Sequence, residues 1–163
     1  MRLDIARILK RFHFCERSIT VAQAAWLASL APIEVKITLP RFLWEDALTG
    51  DELRNRVFEL RFPSRFLEVG NDAPVVNLFD DAIDSPSPLA FILSLARVYK
   101  PIQLEAYNSY LSVADSIADG PSIRFLRIAV QDKLDQIQIL GQFAQEMRAT
   151  ATDAQIEEAD AWV

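Results

Sequence analysis

The chain has 163 residues, 51% of them hydrophobic, and a formal net charge of −6. That is enough apolar material for one domain with a sizeable core, and too acidic a balance for nucleic acid to be the main partner. Cys15 is the only cysteine and His13 the only histidine, which excludes an internal disulfide, a cysteine zinc site and any histidine-rich metal centre.

Four glycines and eight prolines argue against a disordered chain. No apolar stretch reads as a signal segment or a membrane span, so a cytoplasmic protein with no membrane partner is expected. A Gly-rich phosphate loop, a nucleophile elbow and a dinucleotide fingerprint are all missing, which lowers the prior for the standard transferases, hydrolases and dehydrogenases.

The first helix is expected over residues 3–30. Ile5, Leu9, Phe12, Glu16, Ile19, Gln23, Trp26 and Leu30 follow a 4-3 spacing and share one stripe. Two of those positions are polar, and a carboxylate in an apolar seam is costly unless paired, hydrogen-bonded or bound to metal. Pro32 punctuates the chain, and a second helix is expected from Ile33 to about Leu60, kinked or broken at Pro40 and again near Thr49-Gly50-Asp51. Its orientation is ambiguous. Thr38, Arg41, Glu45, Leu48 and Glu52 share one face, while Val35, Leu39, Phe42 and Leu53 form a more apolar neighbouring face.

Residues 62–88 read as a long connection. Phe62-Pro63-Ser64-Arg65 is a stop, Gly70-Asn71-Asp72-Ala73-Pro74 is turn chemistry, and Val75-Val76-Asn77-Leu78-Phe79 suits either a short helix or an extended run. A connection of this length has a natural job in crossing a bundle, so that the helices on either side run parallel. The third helix starts with Ser87 as N-cap and Pro88 at the first position, and runs to about Ala118 with Pro101 inside it. Asp119-Gly120-Pro121-Ser122 is a stop and restart. The fourth helix runs from Ser122 to about Arg148, and Asp153 caps a short last helix. The expected division is a bundle over 1–150 and a terminal helix or tail over 151–163. The apolar ending Ala161-Trp162-Val163 also suits a helical piece of a larger assembly.

The assembled expectation is all-α: an up-down four-helix bundle with a long crossover between helices 2 and 3, the ferritin-like connectivity. The stretch from Cys15-Glu16-Arg17 through Trp44-Glu45-Asp46-Ala47 to Leu60-Arg61 resembles bacterial ferritin-like proteins. So does Lys100-Pro101-Ile102-Gln103-Leu104-Glu105-Ala106-Tyr107, followed by Ala118-Asp119-Gly120-Pro121 and the fourth helix. In metal-binding members, helices one and three each supply a Glu, and helices two and four each supply a Glu-x-x-His. The resemblance thus implies Glu16, Glu45, Glu105 and Gln131 as the carboxylate positions, with Leu48 and Leu134 standing where the histidines would be. Two metal ions need several carboxylates plus neutral nitrogen donors. The expectation is therefore a vacated metal site repacked with hydrocarbon.

Plainer accounts compete for each residue. Glu16 suits a buried carboxylate paired with Arg17 or with a basic residue of another helix. Glu45 has Arg41 one turn before it as an ion-pair partner. Glu105 suits a solvated face. Tyr99, Tyr107 and Tyr110 read as core edges with wet hydroxyls, Trp26 and Trp44 as core, Cys15 as a small buried hydrophobe and His13 as a boundary residue.

The functional expectation is a metal-free, degenerate ferritin-like domain acting as a binding or protein-interaction module, dimerising or docking to a protein partner, with no cofactor. The alternative is a carboxylate-bridged oxidase or hydrolase holding iron or manganese at Glu16, Glu45 and Glu105.

Overall fold

The 4-3 stripe of the first helix decides its packing. Leu9, Phe12, Glu16, Ile19, Gln23 and Leu30 are all buried, so the stripe faces inward along its length. A computed structural model describes residues 2–61 and 72–163. Helix α1 spans Arg2–Trp26, ending short of the expected residue 30, with Leu30 buried beyond its end, and α2 spans Ile33–Glu59. The helical run of α2 is unbroken at Pro40 and at Thr49-Gly50-Asp51, where a kink or break was expected. Its buried face is Val35, Leu39, Phe42, Asp46, Thr49, Leu53 and Val57.

The stop at Phe62-Pro63-Ser64-Arg65 and the start of the turn at Gly70-Asn71 lie outside the described residues. From Ala73 to Asp84 the connection is helical. Helix α3 spans Ala73–Asp80, which decides the Val75–Phe79 stretch in favour of helix, and a 3-10 turn follows over Asp81–Asp84. The segment is pinned to α1: Arg11 pairs with Asp72 at 2.7 Å, and the Trp26 indole donates to the Ile83 carbonyl at 3.0 Å.

Helix α4 spans Pro88–Ser94, with the Ser87 hydroxyl accepting from the Ala90 amide as the N-cap. It continues through a π-turn over Leu95–Tyr99 into α5, Lys100–Val113. In the π-turn the Lys100 amide bonds the Leu95 carbonyl, five residues back. This wide turn falls directly before Pro101, whose ring and missing N–H fit an ordinary helical turn poorly. It also resets the register, so that Lys100, Gln103, Tyr107 and Tyr110 turn inward. The helix ends at Val113, short of the expected Ala118, because the Asp115 carboxylate accepts from the amides of Ile117 and Ala118 and holds them in a turn.

Helix α6 spans Gly120–Thr150 and α7 spans Asp153–Trp162. The cap of α7 is Thr152, one residue before the expected Asp153, in a capping box with Gln155. Helix α7 packs on the rest of the chain, with Ala159 fully buried and Arg148 bridging to Asp160.

No strand occurs among the described residues. Side-chain partners fix the helix directions. Arg56 reaches Ser122, and Lys133 reaches Asp46, so α2 and α6 are antiparallel. Phe12 meets Tyr107 and Tyr110 while Trp26 stacks on Phe91, so α1 opposes the α4–α5 run. Gln23 of α1 meets Asp46 of α2 while Glu16 lies beside Gly50, so α1 and α2 are antiparallel, and the helices on either side of the connection, α2 and α4–α5, run parallel, as expected.

The apolar core is in two parts. One gathers Ile19, Leu39, Phe42, Phe79, Phe91 and Leu140 with their neighbours. The other gathers Leu9, Phe12, Leu53, Val57, Tyr107 and Leu126. The buried residues between the two parts are polar on three of the long helices, Asp46 and Thr49, Lys100 and Gln103, Lys133 and Gln136, and Glu16 of the first helix joins them.

Candidate functional site

Each long helix contributes one charged side chain to that intervening layer: Glu16 from α1, Asp46 from α2, Lys100 from the start of α5 and Lys133 from α6. All four are buried. The Lys133 ammonium lies 2.5 Å from Asp46 Oδ1 and 2.8 Å from Glu16 Oε1, and so bridges the two carboxylates. The Lys100 ammonium donates to Asp46 Oδ2. The Gln23 amide donates to the same oxygen at 2.5 Å. The Tyr107 hydroxyl donates to Glu16 Oε1. Two ammoniums thus face two carboxylates, with neutral donors completing the shell. Gly50 brings α2 close to α1 at this level, where a Cβ added to it would stand 3.6 Å from Glu16 Cβ.

Burial and charge pull against each other in every member. For Asp46, burial favours the neutral acid, yet Lys100 and Lys133 together outweigh it and hold the carboxyl at about 2. For Lys133, burial opposes the charge, but Asp46 and Glu16 prevail and its pKa rises. Burial wins at Glu16, whose carboxyl is raised despite Lys133. It also wins at Lys100, pushed down to about 8 although Asp46 works the other way. Burial, reinforced by Glu16, keeps the Tyr107 phenol well above its usual range.

A neutral fringe surrounds the layer. Thr49 and Gln136 follow Asp46 and Lys133 by three residues, one turn along the same faces, and both are buried. The Gln136 amide donates to Glu45 at 2.9 Å. The Gln103 amide is buried with no hydrogen-bond partner at either end. A cleft of about 230 Å³ between α1 and α2, lined in part by His13, Arg17, Gly50 and Arg54, abuts Asp46 from outside.

The expected site residues fare unequally. Glu16 is at the centre, and its partner is a basic residue of another helix rather than Arg17. Glu45 is half-buried between Gln136 and Arg41, the latter at 3.7 Å. Glu105 and Gln131 are exposed. Leu48 and Leu134 do not pack as core: they are 47% and 45% exposed. Trp44, also expected in the core, is 61% exposed. The physical reason is register. On α2 the inward position is Asp46, so its neighbours two residues either side point outward. Tyr107 differs too, because its hydroxyl is spent on Glu16 rather than on solvent.

Three of the four charges were missed, although signals for two were present. Asp46 and Thr49 continue the Val35-Leu39-Phe42-Leu53 face, and Lys133 falls between Val130 and Leu140 at helical spacing. Lys100 had no such signal, because the π-turn displaces the register there.

Among the described residues, no group of three or more His, Cys, Asp and Glu is placed to hold a metal ion. Glu16, Glu45 and Glu105 accordingly do not assemble into one donor set. The chemistry of the layer agrees: a protonated ammonium has no lone pair to offer a metal, and both carboxylates are already engaged. No helix among the described residues is long and apolar enough to cross a membrane.

No family model, curated protein or solved structure matches this chain.

Proposed function

We propose that this chain is a ferritin-like helical bundle in which an internal ion-pair network stands in place of the metal centre, and that it works as a binding or interaction module. Ferritin-like metal carboxylate proteins draw a Glu from each of two helices and a Glu-x-x-His from each of the other two, all projecting inward. The observation that carries the reading is the matching geometry of this layer. Glu16 and Lys100 come from α1 and α5. Asp46-x-x-Thr49 and Lys133-x-x-Gln136 come from α2 and α6. Two of the carboxylate positions are then ammoniums, and the imidazole positions are a hydroxyl and an amide. Charge balance is kept with lysines supplying the cations. The parallel run of α2 and α4–α5 across a long connection supports the same reading.

A network of this kind holds four helices at one level and in one register, because any slip strands a buried charge. It offers no open coordination position and no exposed nucleophile. That favours a scaffold whose function lies on its surface, so the oxidase or hydrolase alternative is not adopted.

The test is a calorimetric titration with iron(II), manganese(II) and zinc(II). The expected result is no stoichiometric uptake. A companion variant, Thr49→His/Lys100→Glu/Lys133→Glu/Gln136→His, restores the donor pattern and is expected to gain uptake at this layer. Two tightly held metal equivalents on the unaltered chain would overturn the reading.

A further inference from the structure

We propose that the exposed face of α2 is a self-association surface, on which a second copy of this chain packs with its own α2 antiparallel. This rests on the reading of the chain as an interaction module, and it names the partner.

Helix α2 carries two apolar faces. The inward one, with Val35, Leu39, Phe42, Leu53 and Val57, is satisfied by the core. The outward one is Ile33, Ile37, Pro40, Trp44 and Leu48. Their spacings bring them onto one stripe about 80° wide. Ile33, Ile37 and Trp44 are each more than three-fifths exposed, at 62%, 70% and 61%. Single exposed apolar residues are ordinary, but a continuous stripe on one helix marks a contact surface. No charge interrupts it from Ile33 to Leu48, although one at any of those positions would make a solvated face.

Charge complementarity selects the occupant. A two-fold axis crossing α2 midway between Trp44 and Leu48 sets Trp44 of each copy on Leu48 of the other. The same operation, three residues further out, sets Arg41 against Asp51 of the other copy, twice per dimer. Ile33 then comes within one residue of the other copy's Phe58. A parallel pairing would instead oppose Arg41 to Arg41. Within its own helix Arg41 lies 3.7 Å from the half-buried Glu45, and Asp51 lies 3.5 Å from Arg54 and accepts from the Asn55 amide at 3.1 Å. Such pairs are weak and easily exchanged. The Trp44–Leu48 centre with its Arg41–Asp51 flanks is self-complementary, as an isologous dimer requires.

The experiment is light scattering of the purified chain across a concentration series. Twice the chain mass is expected. Trp44→Asp should give a monomer with unchanged helical circular dichroism, since Trp44 is exposed in the single chain; Leu48→Lys serves if that variant does not fold. Asp51→Arg should weaken the dimer at least tenfold, and Arg41→Asp/Asp51→Arg should restore it. A monomer at every concentration, a dimer indifferent to Trp44→Asp and Leu48→Lys, or a charge reversal that the double variant does not rescue would each overturn the proposal. A monomer that takes up no metal leaves the reading of the network standing. A dimer that binds metal stoichiometrically sinks that reading and leaves the interface.

Discussion

Two regions of α2 lie within one helical turn of each other and obey opposite rules. Asp46 is fully buried among charges, while Trp44 and Leu48 on either side are 61% and 47% exposed. The usual expectation puts the carboxylate outside and the indole inside. What reverses it is the company each residue finds. Asp46 meets two ammoniums from α5 and α6, so its burial is compensated. Trp44 lies on the outward face, and no other described helix covers it. Hydrophobicity alone does not settle which face of a helix turns inward when the facing helices bring lysines to the same level.

The largest expected effect comes from breaking the charge balance. Lys133→Met leaves Glu16 without an ammonium and Asp46 with Lys100 alone, and should lower unfolding free energy by about 3–5 kcal/mol in urea titrations. The contrast sharpens if all four charges go together: Glu16→Leu/Asp46→Leu/Lys100→Met/Lys133→Met should recover most of that loss or exceed the parent, as buried ion pairs replaced by well-packed hydrocarbon often do. A quadruple variant no more stable than Lys133→Met would mean that the layer stabilises by more than compensation.

On the apolar side, Phe42 and Trp44 give a paired comparison on one helix. Phe42→Ala empties a fully buried site and should cost about 3–5 kcal/mol. Trp44→Ala should change monomer stability by less than about 1 kcal/mol. Equal losses, measured by the same denaturant titration at low protein concentration, would contradict the assignment of faces.

Acid should expose what Asp46 contributes. Its carboxyl is held at about 2 in the fold against an ordinary 3.8. The stability it adds is complete above the higher value and is lost as pH falls through the lower one. Glu16, raised in the fold, has the opposite sign: its protonation comes first in the folded chain and offsets part of the loss. Asp46→Asn should therefore flatten the decline below pH 3.8 in a pH series of urea midpoints.

The smallest effect should be a gain. Gly50 lies inside α2, and an added Cβ would make ordinary contact with Glu16 at 3.6 Å. Gly50→Ala should stabilise by about 0.4–1 kcal/mol through helix propensity and a stiffer unfolded chain. A lower melting temperature would show that α1 and α2 approach too closely to accept a methyl group.

Much of the architecture was legible in local chemistry. The α1 stripe, the Ser87-Pro88 start, the punctuation at Pro32 and the long connection are set by spacing and by residues with fixed backbone preferences. These gave the helices, their order and the burial of Glu16. The site was legible only in part. Periodicity leaves two candidate faces on α2, because Leu48 and Asp46 each extend a plausible stripe. On the third long helix the π-turn before Pro101 shifts the register in a way no regular period anticipates. Which face turned inward, and that a buried carboxylate would find lysines rather than arginine or metal, depended on side chains brought together from 54 to 117 residues apart. Local sequence determined where the helices are. Only tertiary packing decided which charges meet, because compensation of a buried charge belongs to the pair and not to either residue alone.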